Sequence, residues 1–167
     1  MNEKIDAATA LRPHEETVRP EWIDYNGHLN LAYYVVIFDH GVDALFDYIG
    51  IGLEYRRREE LGTFAAETHT VYEREVKEGD PLRIVPHVLA TDAKRMHMFM
   101  EMFHAKDGFR AATQEILCLH VDLKIRRVAP WPVYIQERID ALVAHRAGQA
   151  VPAGVGRRIT MPERKNP

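Results

Sequence analysis

The sequence lacks the features that three classes of protein require. Its single cysteine, Cys118, excludes an internal disulfide and a metal site built from several cysteines, and it favours a cytoplasmic location. The most apolar window, from Leu31 to Ile51, contains Asp39, Asp43 and Asp47, and this density of charge argues against a membrane span. No apolar segment typical of a secretory signal is visible near the N-terminus.

An excess of positive charge is also missing. The chain has 22 Lys and Arg residues against 25 Asp and Glu, which gives a formal net charge of −3, so we expect no nucleic-acid partner. A length of 167 residues with 46% hydrophobic and 28% charged residues is typical of one globular domain. We expect this domain to span residues 14–161, with residues 1–13 and 162–167 as loose termini.

The clearest structural element is a long helix predicted over Leu31 to Ile49. Asn30 is a favourable residue for its N-cap and Gly50 for its C-cap. The helix is apolar on nearly every side, except for one narrow stripe of aspartates that recur every fourth residue. Such a helix must be wrapped by other elements.

After this helix the hydrophobic period changes to the alternation of β-strands. In the first of these strands, the alternation places Phe64, Thr68 and Thr70 on one face and Ala65 and Glu67 on the other. The arginine and glutamate run over residues 56–60 is interpreted as a solvated, self-neutralised loop. Strands are predicted within 15–23, where Pro20 interrupts the pattern, and over 63–76, 82–90, 95–104 and 109–123, with a last helix over 133–147.

These elements predict an α+β fold in which an antiparallel sheet surrounds one long central helix. A dense polar segment immediately precedes that helix and contains Asp24, Asn26, Gly27, His28 and Asn30. Main-chain amides at a helix start can hold a developing oxyanion, while a carboxylate or imidazole attacks or activates water. The plainer alternative is an Asx turn followed by a helix cap, and spacing alone favours that alternative.

Longer sequence patterns add a resemblance to a known family. The segment Trp22-Ile23-Asp24-Tyr25-Asn26-Gly27-His28-Leu29-Asn30, followed by Tyr33 or Tyr34, resembles the hallmark of hotdog-fold acyl thioesterases of the 4-hydroxybenzoyl-CoA thioesterase type. Its Asp-x-Asn-x-His-x-Asn pattern also resembles the motif of plant acyl-ACP thioesterases. Later stretches are similar to bacterial thioesterases found alone or fused to carnitine dehydrogenases: Glu67-Thr68-His69, Glu78-Gly79-Asp80-Pro81-Leu82, Lys94-Arg95-Met96-His97, Leu119-His120-Val121-Asp122 and Gly156-Arg157-Arg158-Ile159.

The resemblance covers roughly residues 16–161 and implies a single hotdog domain that hydrolyses an acyl-CoA thioester, with betainyl-CoA as the substrate of the subgroup. It implies that Asp24 is the catalytic nucleophile or base. Asn26 and His28 would orient the substrate and assist proton transfer, and the amide of Gly27 would polarise the carbonyl. No cofactor is implied beyond the coenzyme A of the substrate.

A second polar pair lies on one predicted strand. Glu67 and His69 are two residues apart and therefore share a face, so they are either a second acid–base pair or an edge pair that binds only water. Joining strand edges of two subunits would hide an exposed edge, and a homodimer or homotetramer is expected. No His-Glu-x-x-His spacing is present and thioester hydrolysis needs no metal, so no metal site is expected.

The expected substrate also requires binding residues. Candidates for the coenzyme phosphates are Lys94, Arg95, Arg157 and Arg158, together with Arg126 and Arg127, although each is also an ordinary surface charge. A trimethylammonium group would need aromatic faces and negative charge. The candidate rings are Trp22, Tyr25, Tyr33, Tyr34 and Phe38, with Asp39 or Asp43 for the charge, and core packing is the alternative role for these rings. Asn30 is a further candidate for substrate binding.

Two other functions remain open on the same residues. An enoyl-CoA hydratase of the same fold uses an Asp-x-Asn-Pro-x-His motif, but here Gly27 replaces the proline and His28 comes one residue early. A non-catalytic acyl-CoA binding module would bind the ligand without releasing thiol.

Overall fold

A computed structural model describes residues 12–161, so most of the two predicted loose termini lies outside the described residues. A single 3₁₀ turn, Pro20–Trp22, lies between the first strand and the first helix. The elements in chain order are β1 (His14–Thr17), α1 (Leu31–Ile49), α2 (Leu53–Glu59), β2 (Leu61–Tyr72), β3 (Pro81–Thr91), β4 (Arg95–His104), β5 (Arg110–Asp122), β6 (Arg127–Val128) and α3 (Val133–Arg146).

The strands form one antiparallel sheet in the order β1-β3-β4-β5-β2, with β6 paired to the end of β5. Helix α1 packs on this sheet, and Gly41 lies at the point of closest approach. A Cβ atom at Gly41 would lie 2.7 Å from Cγ2 of Ile84, a distance that real Cβ contacts do not reach. Glycine in the helix interior is unfavourable by about 0.5–1 kcal/mol relative to alanine, and here it lets the helix backbone sit close to β3.

Both predicted caps of α1 are confirmed. The Asn30 side-chain oxygen accepts a hydrogen bond from the Ala32 amide at 3.0 Å, which satisfies one of the unpaired donors of the first turn. Gly50 ends the helix in the left-handed conformation with φ of 90°, where a side chain would be strained. Local sequence chemistry therefore fixes both ends of this helix.

The face of β4 that packs against α1 is built from methionines, as the alternation predicts. Met96, Met98, Met100 and Met102 are all fully buried. They join Ile37, Phe38 and Ile84 in one continuous core between the helix and the sheet. Flexible thioether side chains suit the irregular space beneath a curved helix–sheet contact.

A β-bulge in β2 makes the predicted faces of that strand wrong. The register with β5 shifts between Ala65 and Glu67, so that Ala66 has no direct partner. A bulge adds one residue and inverts the alternation beyond it. Ala65 and Thr68 consequently line the same groove, although the alternation predicts opposite faces for them.

Three other local predictions are corrected. The first strand ends at Thr17 and its continuation is a 3₁₀ turn that starts at Pro20, because proline cannot donate to a strand ladder. The predicted loop over 56–60 is largely the short helix α2, with Arg57 paired to Glu54 at 2.7 Å. Helix α1 is also incompletely wrapped, since Val35 and Val36 are 41% and 37% exposed.

Within residues 12–161, no helix is both long enough and apolar enough to cross a membrane. Cys118 is a buried free thiol. Burial, with a smaller contribution from the charge of Asp39, raises the pKa of this thiol to about 12, so it packs as an apolar group rather than acting as a nucleophile. The cytoplasmic location stays a prediction.

Candidate active site

The polar loop before α1 forms an Asx turn at residues 24–27, which is one of the two alternatives predicted from the sequence. The half-buried carboxylate of Asp24 accepts a hydrogen bond from the Asn26 amide at 2.8 Å, and the Gly27 amide donates to the Asp24 carbonyl at 3.0 Å. Gly27 has φ of 79°, which a side chain would rarely adopt. The turn holds the Asp24 carboxylate in a fixed orientation, and this structural role is compatible with a chemical one.

His28 is oriented by an acidic residue that the sequence analysis misses. Its Nε2 lies 3.0 Å from Oε2 of Glu75, in the segment that follows β2, and both side chains are partly exposed. A carboxylate beside an imidazole orients the ring and fixes which ring nitrogen carries the proton. No local motif marks Glu75, because only the fold brings residue 75 next to residue 28.

Most amides of this loop are already engaged within the chain. The Leu29 amide donates to the Val76 carbonyl and the Asn30 amide to the Trp22 carbonyl, both at 2.9 Å. With the Asn26 and Gly27 amides used in the turn, the predicted oxyanion role of Gly27 is not supported by this geometry. Among the described residues, the amides of His28 and Leu31 have no hydrogen-bond acceptor, and Leu31 is the first residue of α1.

A groove of about 780 Å³ lies between α1, the start of α2 and the sheet strands β2 and β5. Its floor contains Thr68, Gln114 and Cys118, and its walls are largely apolar. Three acidic residues of α1, Asp39, Asp43 and Asp47, line the groove together with one cationic residue, Arg56. Burial and the charges of Asp39 and Asp47 raise the pKa of Asp43 above its usual range, whereas His40 acts in the opposite direction.

A second cavity of about 410 Å³ lies over the opposite face of the sheet and contains Glu67 and His69. The same cavity is lined by His97, whose Nε2 lies 2.7 Å from the Glu115 carboxylate, and by Arg157. These side chains alternate with residues that face α1, so the single chain does not bring Glu67 and His69 to the loop before α1. Neither of the two cavities is lined by Asp24.

The predicted binding residues occupy varied surroundings. Trp22 is buried and stacks on Tyr33 with ring centroids 5.6 Å apart, and the Arg19 guanidinium lies 4.6 Å from its ring centroid. Tyr25 is almost fully exposed, and the side chain of Asn30 caps α1. These positions favour packing and capping as the roles of Trp22 and Asn30.

The predicted phosphate-binding residues are also spread over the surface. Arg95 is paired with Asp92 at 2.7 Å within the turn between β3 and β4, next to the exposed Lys94. Arg157 and Arg158 are exposed in the segment after α3. A role of these four residues in coenzyme A binding stays a prediction.

Comparison with known proteins places this geometry in a family. Residues 18–139 match the thioesterase-like superfamily. The chain is 39% identical to the betainyl-CoA thioesterase of Pseudomonas aeruginosa over 91% of this chain and 96% of that protein. It is 34% identical to part of the L-carnitine dehydrogenase/betainyl-CoA thioesterase of Agrobacterium fabrum, over 88% of this chain and 30% of that protein. The structure of SAV2348 from Staphylococcus aureus in complex with CoA has a TM-score of 0.84 and 28% identity, over 90% of this chain and 94% of that chain.

An antiparallel sheet packed on one long helix with a polar loop at the helix start is the hotdog fold of acyl-CoA thioesterases. The chain belongs to the thioesterase-like superfamily. The predicted hotdog domain and the predicted enzyme class, an acyl-CoA thioesterase, are therefore confirmed.

Proposed function

We propose that this acyl-CoA thioesterase hydrolyses betainyl-CoA to betaine and coenzyme A, with Asp24 as its catalytic carboxylate. The observation that carries the proposal is the charge of the α1 groove, because it suits the cationic acyl group named for the relatives from Pseudomonas aeruginosa and Agrobacterium fabrum. Near-complete coverage of the first of these relatives supports the same substrate.

The groove suits a trimethylammonium group in two respects. The trimethylammonium group has no N–H to donate to a hydrogen bond, so its methyl groups are stabilised by contacts with apolar residues such as Val35, Val42 and Phe46 along α1. Its permanent positive charge is attracted by the aspartates on the same helix, which have no ion-pair partner among the described residues. An acyl chain without charge would not gain this attraction.

The loop supplies groups for the hydrolytic step. In one route the Asp24 carboxylate attacks the thioester carbonyl carbon, the carbon–sulfur bond breaks, and water hydrolyses the mixed anhydride that forms. In the other route Asp24 takes a proton from a water molecule that attacks the same carbon, and the carbon–sulfur bond then breaks. The thiolate that leaves takes a proton, which His28 can supply because Glu75 orients its imidazole ring. The amides of His28 and Leu31, at the positive end of the α1 dipole, are placed to stabilise the oxyanion.

We also propose that two copies of the chain pair through β2. This strand is twelve residues long and forms one edge of the sheet, so no other strand among residues 12–161 pairs with its outer backbone groups. Phe64 on this strand is 61% exposed, and Val35 and Val36 of α1 are 41% and 37% exposed. A second copy would cover these apolar groups.

The substitution Phe64→Lys tests this pairing. A lysine on an edge strand opposes pairing, and the apolar contact is lost, so we expect the variant to be monomeric at micromolar concentration in sedimentation velocity. Val133→Lys changes an equally apolar and 75% exposed residue at the start of α3 and is the matched control, which should leave the oligomeric state unchanged. A dimer that persists in Phe64→Lys would contradict pairing through β2.

A pair of matched substrates tests the proposed function. Betainyl-CoA and tert-butylacetyl-CoA have nearly the same shape, but only the first has a positive charge. We expect thiol release from betainyl-CoA to have a kcat/KM at least tenfold higher. Equal values would contradict recognition of the charge, and hydration of crotonyl-CoA without thiol release would instead indicate the hydratase alternative. Tight binding of both esters without any thiol release would indicate a binding module.

A further inference from the structure

A cluster of metal-ligating side chains lies outside the groups assigned to hydrolysis. His14 and Glu16 are two residues apart on one face of β1, and His40 projects from the middle of α1 toward them. The Nε2 of His14 and the Nδ1 of His40 lie 3.3 Å and 2.7 Å from the same oxygen of Glu16, Oε2. The candidate ligand atoms of all three residues lie within 4.8 Å of one another.

We propose that His14, Glu16 and His40 form a binding site for a divalent transition-metal ion of the zinc type. Two imidazole nitrogens and one carboxylate oxygen are ligands that Zn²⁺ prefers, and three protein ligands leave a fourth tetrahedral position for water. Ligand atoms at the corners of a zinc tetrahedron are about 3.3 Å apart, from zinc–ligand distances of about 2.0–2.1 Å. The separation between His14 and Glu16 matches that value, whereas His40 lies closer to Glu16, so an ion requires His40 to move outward from the carboxylate.

The neighbouring charges fix the orientation of the carboxylate. The Arg19 guanidinium donates to Oε1 of Glu16 at 3.2 Å, which leaves Oε2 as the oxygen directed at both imidazoles. This outer hydrogen bond resembles the contacts that orient ligands in metal sites. The positive charge of Arg19 opposes a cation, whereas Asp43, whose carboxylate interacts with His40, favours one.

A metal ion in this site would cross-link β1 and α1. β1 is a four-residue edge strand that pairs only with β3, and it leads into the loop that contains Asp24. A metal held by both β1 and α1 would fix this strand to the helix independently of the hydrolytic step. Both imidazoles would bind as neutral rings, with the proton on the nitrogen remote from the metal.

Zinc titration of the untagged, chelator-treated protein tests the site. We expect one equivalent of Zn²⁺ to bind the wild-type protein in calorimetry and to raise its midpoint of thermal unfolding. His14→Gln and His40→Gln should each weaken this binding at least tenfold. His87→Gln is the matched control, because His87 forms a similar pair with Glu101 at 2.9 Å that lacks a second imidazole, and it should leave binding unchanged.

A spectroscopic measurement on the wild-type protein keeps the test independent of how the variants fold. One equivalent of Zn²⁺ should shift the imidazole nitrogen resonances of His14 and His40 and leave those of His87 in place. Equal zinc binding by the wild-type protein and by the His14→Gln/His40→Gln double variant would overturn the proposal. Unchanged His14 and His40 resonances at saturating zinc would also overturn it.

Discussion

Asp24→Asn should lower kcat for thioester hydrolysis by about a hundredfold or more, equivalent to at least about 2.7 kcal/mol of transition-state stabilisation. The reason is chemical, because the carboxamide can neither attack a carbonyl nor accept a proton from water at neutral pH. The measurement is thiol release from betainyl-CoA at saturating substrate.

The Asx turn makes Asp24→Asn a selective change. The Asn26 amide donates to Oδ1 of residue 24, and an asparagine oxygen can accept the same hydrogen bond. We therefore expect the variant to keep its thermal stability and its affinity for a non-hydrolysable substrate analogue. A full rate in this variant would move the catalytic assignment to Glu67, and the corresponding Glu67→Gln variant should then lose activity.

The second large effect is expected from the groove. Asp39→Asn combined with Asp43→Asn should lower kcat/KM for betainyl-CoA by about ten- to a hundredfold, because each lost charge contact is worth about 1 kcal/mol or more near a protein surface. Hydrolysis of tert-butylacetyl-CoA should change by less than about threefold. If both substrates lose activity equally, the aspartates do not recognise the charge.

The Asp39→Asn/Asp43→Asn variant should be more stable than the wild-type protein at pH 7, although it is less active. The pKa of Asp43 is raised in the folded protein, first by burial and then by the charges of Asp39 and Asp47. The folded state therefore binds this proton more tightly than the unfolded state, and Asp43 contributes stability at low pH that is lost as the pH rises through its folded pKa. Neutral asparagines remove this cost, so thermal unfolding at pH 7 should occur at a higher temperature in the variant.

The raised pKa of Asp43 also predicts that the preference of the wild-type enzyme for the charged substrate decreases at low pH. As the pH falls through the raised pKa of Asp43, the carboxylate becomes neutral and the groove loses part of its attraction for a cation. The ratio of kcat/KM for betainyl-CoA to that for tert-butylacetyl-CoA should decline over this range. The double variant should show a ratio that changes little with pH.

Local chemistry explains why some parts of the fold are predictable from sequence. The bounds of α1 follow from Asn30 and Gly50, which act on their own backbone neighbours. The buried face of β4 follows from a run in which every second residue is methionine. In both cases the pattern depends only on residues that are close in the sequence.

Features that depend on pairing between distant segments are not predictable in this way. The bulge at Ala66 is a shift in the register between β2 and β5, and no residue in β2 alone predicts it. Glu75 reaches His28, and His40 reaches Glu16, only after the sheet and helix are assembled. The amide of Gly27 is likewise occupied because the turn closes on Asp24, which spacing alone suggests but does not require.

The close approach at Gly41 has a consequence for the height of α1 above the sheet. Alanine is the more favourable residue in a helix interior, yet its methyl group would meet Ile84 and Met100. The absent side chain at position 41 therefore sets the distance between α1 and the sheet, and any larger residue would tilt the helix or move it away from the sheet. The opposite side of α1 forms the acidic wall of the groove. The groove width available to an acyl group therefore depends on the absence of a side chain at Gly41.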